Sequence, residues 1–192
     1  MGAAHHAQEQ TGGRLDIGTV EFNSSTLYRY ANVDVDRLRG TLGDTEATRR
    51  AVEEACDAAG AKVSLVGWSL GGIYAREIAK EVPQHTRCVI TLGTPFSGHP
   101  RANNAWRLYE YLSGHKLSEA DPLIDQVRQA PPVPTTSVYS RTDGVVSWRC
   151  SLNEASPLTE NIGIHASHFG LGMNPLALYI VADRLAQKPG AW

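Results

Sequence analysis

The clearest change of hydrophobic pattern along the chain falls between Lys62 and Ala79. Lys62-Val63-Ser64-Leu65-Val66 is β-prone, and Ile73-Tyr74-Ala75-Arg76-Glu77-Ile78-Ala79 has helical spacing, with Gly67-Trp68-Ser69-Leu70-Gly71-Gly72 between them. Upstream, Asp44 reads as an N-cap for a helix with Ala47, Ala51, Val52 and Ala55 on one face and Gly60 as its stop. Downstream, Pro83 closes the unit, and Arg87-Cys88-Val89-Ile90-Thr91-Leu92-Gly93 has the continuous apolar character of a parallel strand covered on both faces. Further strands are predicted at Thr135–Ser140 and Glu160–Ile164, and a last helix from Leu176 to Ala186 behind Asn174-Pro175. Strand and helix in alternation predict an α/β fold with a mostly parallel sheet flanked by helices, its crossovers right-handed.

The flanking regions are less regular. Residues 1–13 have no periodicity and read as a flexible tail, with residues 14–192 as a single domain. Alternating β-prone residues in Arg14–Phe22 and Thr26–Val35 suggest two short strands, joined to the first helix by a connection from Asp36 to Gly43. Residues 97–134 differ in composition. Trp106, Leu108, Tyr109, Tyr111 and Leu112 would give one short helix an apolar face, Gly114 would end it, and Asp121–Gln129 would form another before the Pro131–Pro134 stretch. Two readings stay open for this segment: a cap over an acyl-binding pocket, or a crossover helix whose aromatics pack on the sheet.

Composition narrows the function classes. The chain has 192 residues, 42% hydrophobic and 20% charged, as expected for one globular domain with a real core. A formal charge of −2 leaves no basic surplus for nucleic acid. No apolar run reaches transmembrane length, and the N-terminus lacks a basic segment followed by an apolar one, so a soluble, cytoplasmic protein is expected. The three cysteines Cys56, Cys88 and Cys150 form no C-x-x-C pair, which argues for buried free thiols rather than a disulfide framework or zinc cluster.

The candidate chemistry begins at Gly67-Trp68-Ser69-Leu70-Gly71. A Gly-x-Ser-x-Gly sequence between strand and helix is the form of a nucleophile elbow, with Gly67 and Gly71 expected where a side chain would strike a neighbouring element. Ser69 would project its hydroxyl at the carboxyl edge of the sheet, and the Leu70 N–H would face the same space as an oxyanion donor. The alternative is an inert serine at a glycine-rich junction. Asp143 lies just past a strand that follows the elbow, in Arg141-Thr142-Asp143-Gly144, and His168 lies between the last strand and the last helix. Asp121, Asp125, Glu154 and Glu160 are alternative acids, and His165 is an alternative base. The order Ser69, Asp143, His168 is that of a Ser…Asp…His triad with each member at a strand end. His165 and His168 are three apart but have no third ligand nearby in sequence, and His5-His6 stand in a polar tail, so no metal site is predicted. Trp68, Phe96 in the loop after the next strand, and Trp106 and Tyr109 of the candidate cap are the expected substrate-binding residues.

From about Leu42 to Gln187 the chain resembles the α/β-hydrolase superfamily, specifically bacterial serine esterases and lipases of the Gly-Trp-Ser-Leu-Gly-Gly type. The resemblance is carried by Gly67–Arg76, Thr91–Phe96, Ser140–Trp148 and Ser167–Pro175. It implies that Ser69 is the nucleophile, Asp143 the acid and His168 the base of an esterase or lipase that needs no cofactor and acts on a small-molecule ester or lipid. Members usually carry, well before the elbow, a strand ending in His-Gly or Pro-Gly whose loop gives a second oxyanion donor; residues 1–41 do not match that pattern. The chain therefore reads as a hydrolase fold reduced at its N-terminal side, with an uncovered edge that favours a homo-oligomer. The rival expectation is a degenerate hydrolase that binds an acyl ligand or a protein with little turnover.

Overall fold

The computed structural model describes residues 16–21, 27–32, 45–97 and 122–188. Strands β1 (Asp16–Glu21) and β2 (Leu27–Asn32) pair antiparallel as a two-stranded sheet. Then follow α1 (Thr45–Ala59), β3 (Val63–Trp68), α2 (Leu70–Glu81), β4 (Thr86–Leu92), α3 (Pro122–Arg128), β5 (Thr135–Ser140), a single 3₁₀ turn at Trp148–Ser151, β6 (Thr159–Ile164), the one-turn α4 (His168–Leu171) and α5 (Pro175–Ala186). The expected N-terminal tail, the Asp44 cap and the aromatic part of the 97–134 segment lie outside the described residues.

Local chemistry sets the boundaries. Gly60, at φ +60, ends α1: its N–H donates to Asp57 O (3.3 Å) and the Ala61 N–H to Cys56 O (3.3 Å), the paired bonds of a left-handed glycine stop. Asn174 caps α5 by accepting from the Leu176 and Ala177 N–H groups at 2.8 and 3.3 Å, with Pro175 in the first turn, where its missing N–H costs nothing.

Strands β3, β4, β5 and β6 lie in that order in one sheet and are all parallel. Strand β4 is inside the sheet and buried along almost its whole length. Its alternate residues feed two layers. Cys88, Ile90 and Leu92 pack with Val138, Ile164, Leu171, Ala177, Ile180 and Leu185 on the side of α4 and α5, while Val89 joins Ala79 and Val133 on the side of α2. Val52, Ile78 and Val82 form a further cluster between α1 and α2. Cys88 and Cys150 are buried, and Cys56 is half-buried.

A parallel sheet wound in sequence order places the carboxyl ends of β3, β4, β5 and β6 along one edge. Ser69, Gly93, Asp143 and His168 all follow those ends.

Candidate active site

Ser69 joins β3 to α2 with φ 53 and ψ −125, the only non-glycine residue of positive φ among the described residues. Its N–H donates to Leu92 O at the end of β4 (2.8 Å), and its own carbonyl accepts from Gly72 N–H (3.1 Å). The turn is this tight because two glycines allow it. A Cβ on Gly67 would lie 2.4 Å from Gly72 Cα and 2.5 Å from Gly71 O, and one on Gly72 would lie 2.0 Å from Thr94 Oγ1. The expectation for Gly71 is corrected: a Cβ there would meet nothing within 4 Å, because this position of α2 faces away from β3 and β4, and the close approach falls on Gly72 instead. Leu70 is the first residue of α2, so its N–H is one of the donors that a helix start leaves without an intrahelical acceptor.

Asp143 sits in the turn after β5. Its Oδ1 accepts from the Val145 and Val146 N–H groups, both at 2.8 Å, and its Oδ2 lies 2.7 Å from His168 Nδ1. The side chain is 2% exposed. Burial pushes its pKa up, but the hydrogen bonds from His168, then Val146 and Val145, outweigh it and hold the carboxyl below its ordinary value. His168 opens α4, its side chain 4% exposed, and its Nε2 lies 2.9 Å from Ser69 Oγ. A carboxylate can only accept, so in the neutral imidazole Nδ1 carries the proton and Nε2 is left to accept from the Ser69 hydroxyl.

The predicted residues separate into those gathered here and those that are not. Ser69, Asp143 and His168 form one hydrogen-bonded chain. Trp68 is half-exposed beside them; its Nε1 donates to His168 O at 3.0 Å, and its ring lies 5.4 Å from the imidazole and 5.8 Å from the Phe169 ring. Phe96 is buried, with its ring under the Arg76 guanidinium at 3.7 Å. Trp106, Tyr109 and Asp121 lie outside the described residues. Asp125 is exposed beside Arg128, Glu154 is exposed, and Glu160 bonds Arg184 and Thr136. His165 is exposed, its carbonyl taken by Asn174 Nδ2 at 3.3 Å. Among the described residues no group of three His, Cys, Asp or Glu side chains could hold a metal ion.

Sequence reasoning missed one contributor to the site and one buried anchor of the surrounding fold. Gly93, at φ +55, leaves room for the acid and base: a Cβ there would come 3.1 Å from Asp143 Oδ2 and 3.4 Å from His168 Nδ1. Its sequence signal is a glycine directly after a buried strand. Arg76 is fully buried on α2, donating to Asn153 Oδ1 (2.7 Å) and to the carbonyls of Arg128 (3.2 Å) and Gln129 (3.1 Å). Burial lowers its pKa to about 10, against an opposing effect of Glu77. A single arginine among apolar helical positions gives no sign of this in sequence, because all its partners are distant.

A family model described as CT1975-like protein matches residues 4–63, less than half of the chain and short of the Ser69 turn. No curated protein matches the sequence. Solved structures do match the fold. Aspergillus fumigatus lipase B is similar with a TM-score of 0.63 and 16% identity over 84% of this chain, which spans only 45% of the length of that lipase. The mature form of Bacillus licheniformis lipase BlEst2 is similar with a TM-score of 0.60 and 18% identity, covering 83% of this chain and 79% of that one. An α/β-superfamily hydrolase from Oenococcus oeni PSU-1 gives a TM-score of 0.55 and 14% identity over 74% of this chain and 73% of its own. No helix among the described residues is long and apolar enough to cross a membrane. A four-stranded parallel sheet flanked by helices, matched by lipase and hydrolase structures, gives this chain the α/β-hydrolase fold.

Proposed function

We propose that the chain is a serine hydrolase that cleaves carboxylic esters through an acyl-enzyme on Ser69, as an esterase or lipase of the bacterial Gly-Trp-Ser-Leu-Gly-Gly type. The observation that carries this reading is the continuous chain of bonds from Ser69 Oγ to His168 Nε2 (2.9 Å) and from His168 Nδ1 to Asp143 Oδ2 (2.7 Å). His168 Nε2 takes the hydroxyl proton as Ser69 Oγ attacks the ester carbonyl carbon. Asp143 holds the Nδ1–H and stabilises the imidazolium, and the Leu70 N–H receives the developing oxyanion. His168 then gives its proton to the departing alkoxide, leaving acyl-Ser69, and a water molecule releases the acid by the same route. Every step is proton and acyl transfer, and the reading calls on no cofactor.

The substrate in this reading is a small ester or lipid with an apolar acyl group, which Phe169, 72% exposed next to His168, supports. The protein would act in the cytoplasm as a homo-oligomer. Strand β3 is the last strand on its side of the described sheet, which supports self-association there; a monomer in sedimentation would remove that part.

The test is labelling with a fluorophosphonate, locating the adduct by mass spectrometry, with Ser69→Ala as the control and short p-nitrophenyl esters assayed on the same preparation. An adduct on Ser69 together with ester turnover is expected. A folded protein that neither labels nor turns over would overturn the reading in favour of a degenerate hydrolase fold that binds an acyl ligand or a protein.

A further inference from the structure

The proposed triad is assembled from three separate segments, and the loops bearing its acid and its base are joined by a hydrogen-bonded ring distinct from the triad itself. Ser140, the last residue of β5, is 1% exposed. Its Oγ accepts from the Ala166 N–H at 3.0 Å and from the Thr142 N–H at 3.1 Å, and lies 2.9 Å from Thr142 Oγ1. Thr142 Oγ1 in turn donates to Ala166 O at 3.1 Å. Each hydroxyl has one hydrogen. The Thr142 hydrogen is committed to a carbonyl that can only accept, so the Ser140 hydrogen points at Thr142 Oγ1. The direction of the ring is thereby fixed: Ala166 N–H to Ser140, Ser140 O–H to Thr142, Thr142 O–H back to Ala166 O.

Both main-chain polar groups of Ala166 are therefore held by two hydroxyls, one at the end of β5 and one in the turn that follows it. Thr142 directly precedes Asp143, and Ala166 stands two residues before His168. We propose that Ser140 and Thr142 are positioning residues of the acyl-transfer reaction: their ring with Ala166 sets the distance between Asp143 and His168. This inference rests on the proposed hydrolase reading for its kinetic consequences, though not for the geometry of the ring.

The alternative is that the ring contributes only to folding. The rest of the His168 loop argues that its position is set point by point. Asn174 holds His165 O, the ring holds Ala166, Ser167 Oγ accepts from Gly170 N–H, and Trp68 holds His168 O. Of these, the Ala166 contact is the one that ties the base loop to the acid loop. Because neither hydroxyl belongs to the Ser69–His168–Asp143 chain of bonds, loosening the ring should reduce turnover without weakening substrate binding.

The experiment is Thr142→Val, which keeps the shape of the side chain and removes the hydroxyl, with Thr142→Ser as the conservative rescue and Ser140→Ala as the more severe variant. For Thr142→Val the expected result is a fall of about tenfold in kcat and in the rate of fluorophosphonate labelling, with KM within about twofold of wild type. Thr142→Ser should restore both. Independently of turnover, the His168 Nδ1–H, followed by proton NMR, should exchange faster with water in Thr142→Val than in wild type. A Thr142→Val protein with wild-type kcat and unchanged Nδ1–H exchange would overturn the proposal, whatever happens to its melting temperature. If the wild type neither labels nor turns over, the hydrolase reading fails, and the NMR comparison alone still decides the positioning role.

Discussion

Replacing Gly67 by alanine probes the β3–α2 turn where it is tightest. The added methyl would stand 2.4 Å from Gly72 Cα and 2.5 Å from both Gly71 O and Gly72 N, all backbone atoms that cannot rotate away. Carbon–carbon contacts settle near 3.5–4.0 Å, so β3 and the start of α2 must separate by about 1 Å. Overpacking of this kind costs about 1–3 kcal/mol. At roughly 2–4 °C per kcal/mol for a chain of this size, the melting temperature should fall by about 2–12 °C. The same displacement acts on Ser69, whose Oγ is 2.9 Å from His168 Nε2, and a misplacement of about 1 Å lowers the reactivity of such a pair by about 10²-fold. Gly71→Ala is the internal comparison. Its methyl would meet nothing within 4 Å, so it should leave the fold intact and raise stability by up to about 1 kcal/mol through the unfolded chain's lost freedom. Thermal melts and fluorophosphonate labelling rates on the two variants supply the assay. A Gly67→Ala protein that melts and labels like wild type, or a Gly71→Ala protein that loses more than Gly67→Ala, would refute the reasoning.

Arg76→Met should cost about 1–3 kcal/mol in chemical denaturation, because it strands the buried Asn153 Oδ1, while the part-buried carbonyls of Arg128 and Gln129 can turn to water; a cost under about 0.5 kcal/mol would show that Asn153 finds another partner. Asp143→Asn should fold yet lose about 10³–10⁴-fold in ester turnover, since an amide no longer enforces the Nδ1–H form of His168. The same variant has a pH signature. The Asp143 carboxyl is held below its ordinary value in the folded state, so its stabilisation is present above the unfolded value near about pH 3.9 and lost as pH falls; Asp143→Asn should show a shallower acid loss of stability than wild type. Glu160→Gln should cost no more than about 1 kcal/mol, because its bond to Arg184 is partly solvated, and the cost should shrink in high salt. Glu160 is likewise held low, by Arg184 first and Thr136 next against burial, so that small contribution also disappears on acidification below about pH 4.3.

What could be read from the sequence follows the range of the forces involved. Helices α1, α2 and α5 announce themselves by period and β4 by its continuous apolar run, whereas β5, whose buried residues include Thr135, Thr136, Ser137 and Ser140, shows only β-prone residues; the observed limits of these elements lie close to the expected ones. The residues that join at the carboxyl edge were legible for a related reason: each follows a strand, and a sheet wound in sequence order gathers those positions. Contacts that depend on a partner far along the chain were not legible. Arg76 is only one position of a helical run until Asn153, 77 residues away, is packed against it. Phe96 reads as a free aromatic on a ligand loop until Arg76 covers it. Gly71 and Gly72 are indistinguishable by type, and only the direction of α2 relative to Thr94 decides which of them must lack a side chain.

The backbone at Ser69 connects these local and distant effects. A non-glycine residue at φ 53 and ψ −125 carries a strain of about 1–3 kcal/mol that nothing in Gly-Trp-Ser-Leu-Gly relieves by itself. It is held from outside the turn. Leu92 O at the end of β4 takes the Ser69 N–H, Thr94 fills the space over Gly72, and His168 takes the hydroxyl. Two of those three anchors come from residues 92–94, the segment whose Gly93 also leaves space for Asp143 and His168. The end of β4 therefore fixes the strained serine on one side and admits the acid–base pair on the other. A change there should disturb both at once, whereas a change in α2 beyond Gly72 should reach the site only through stability.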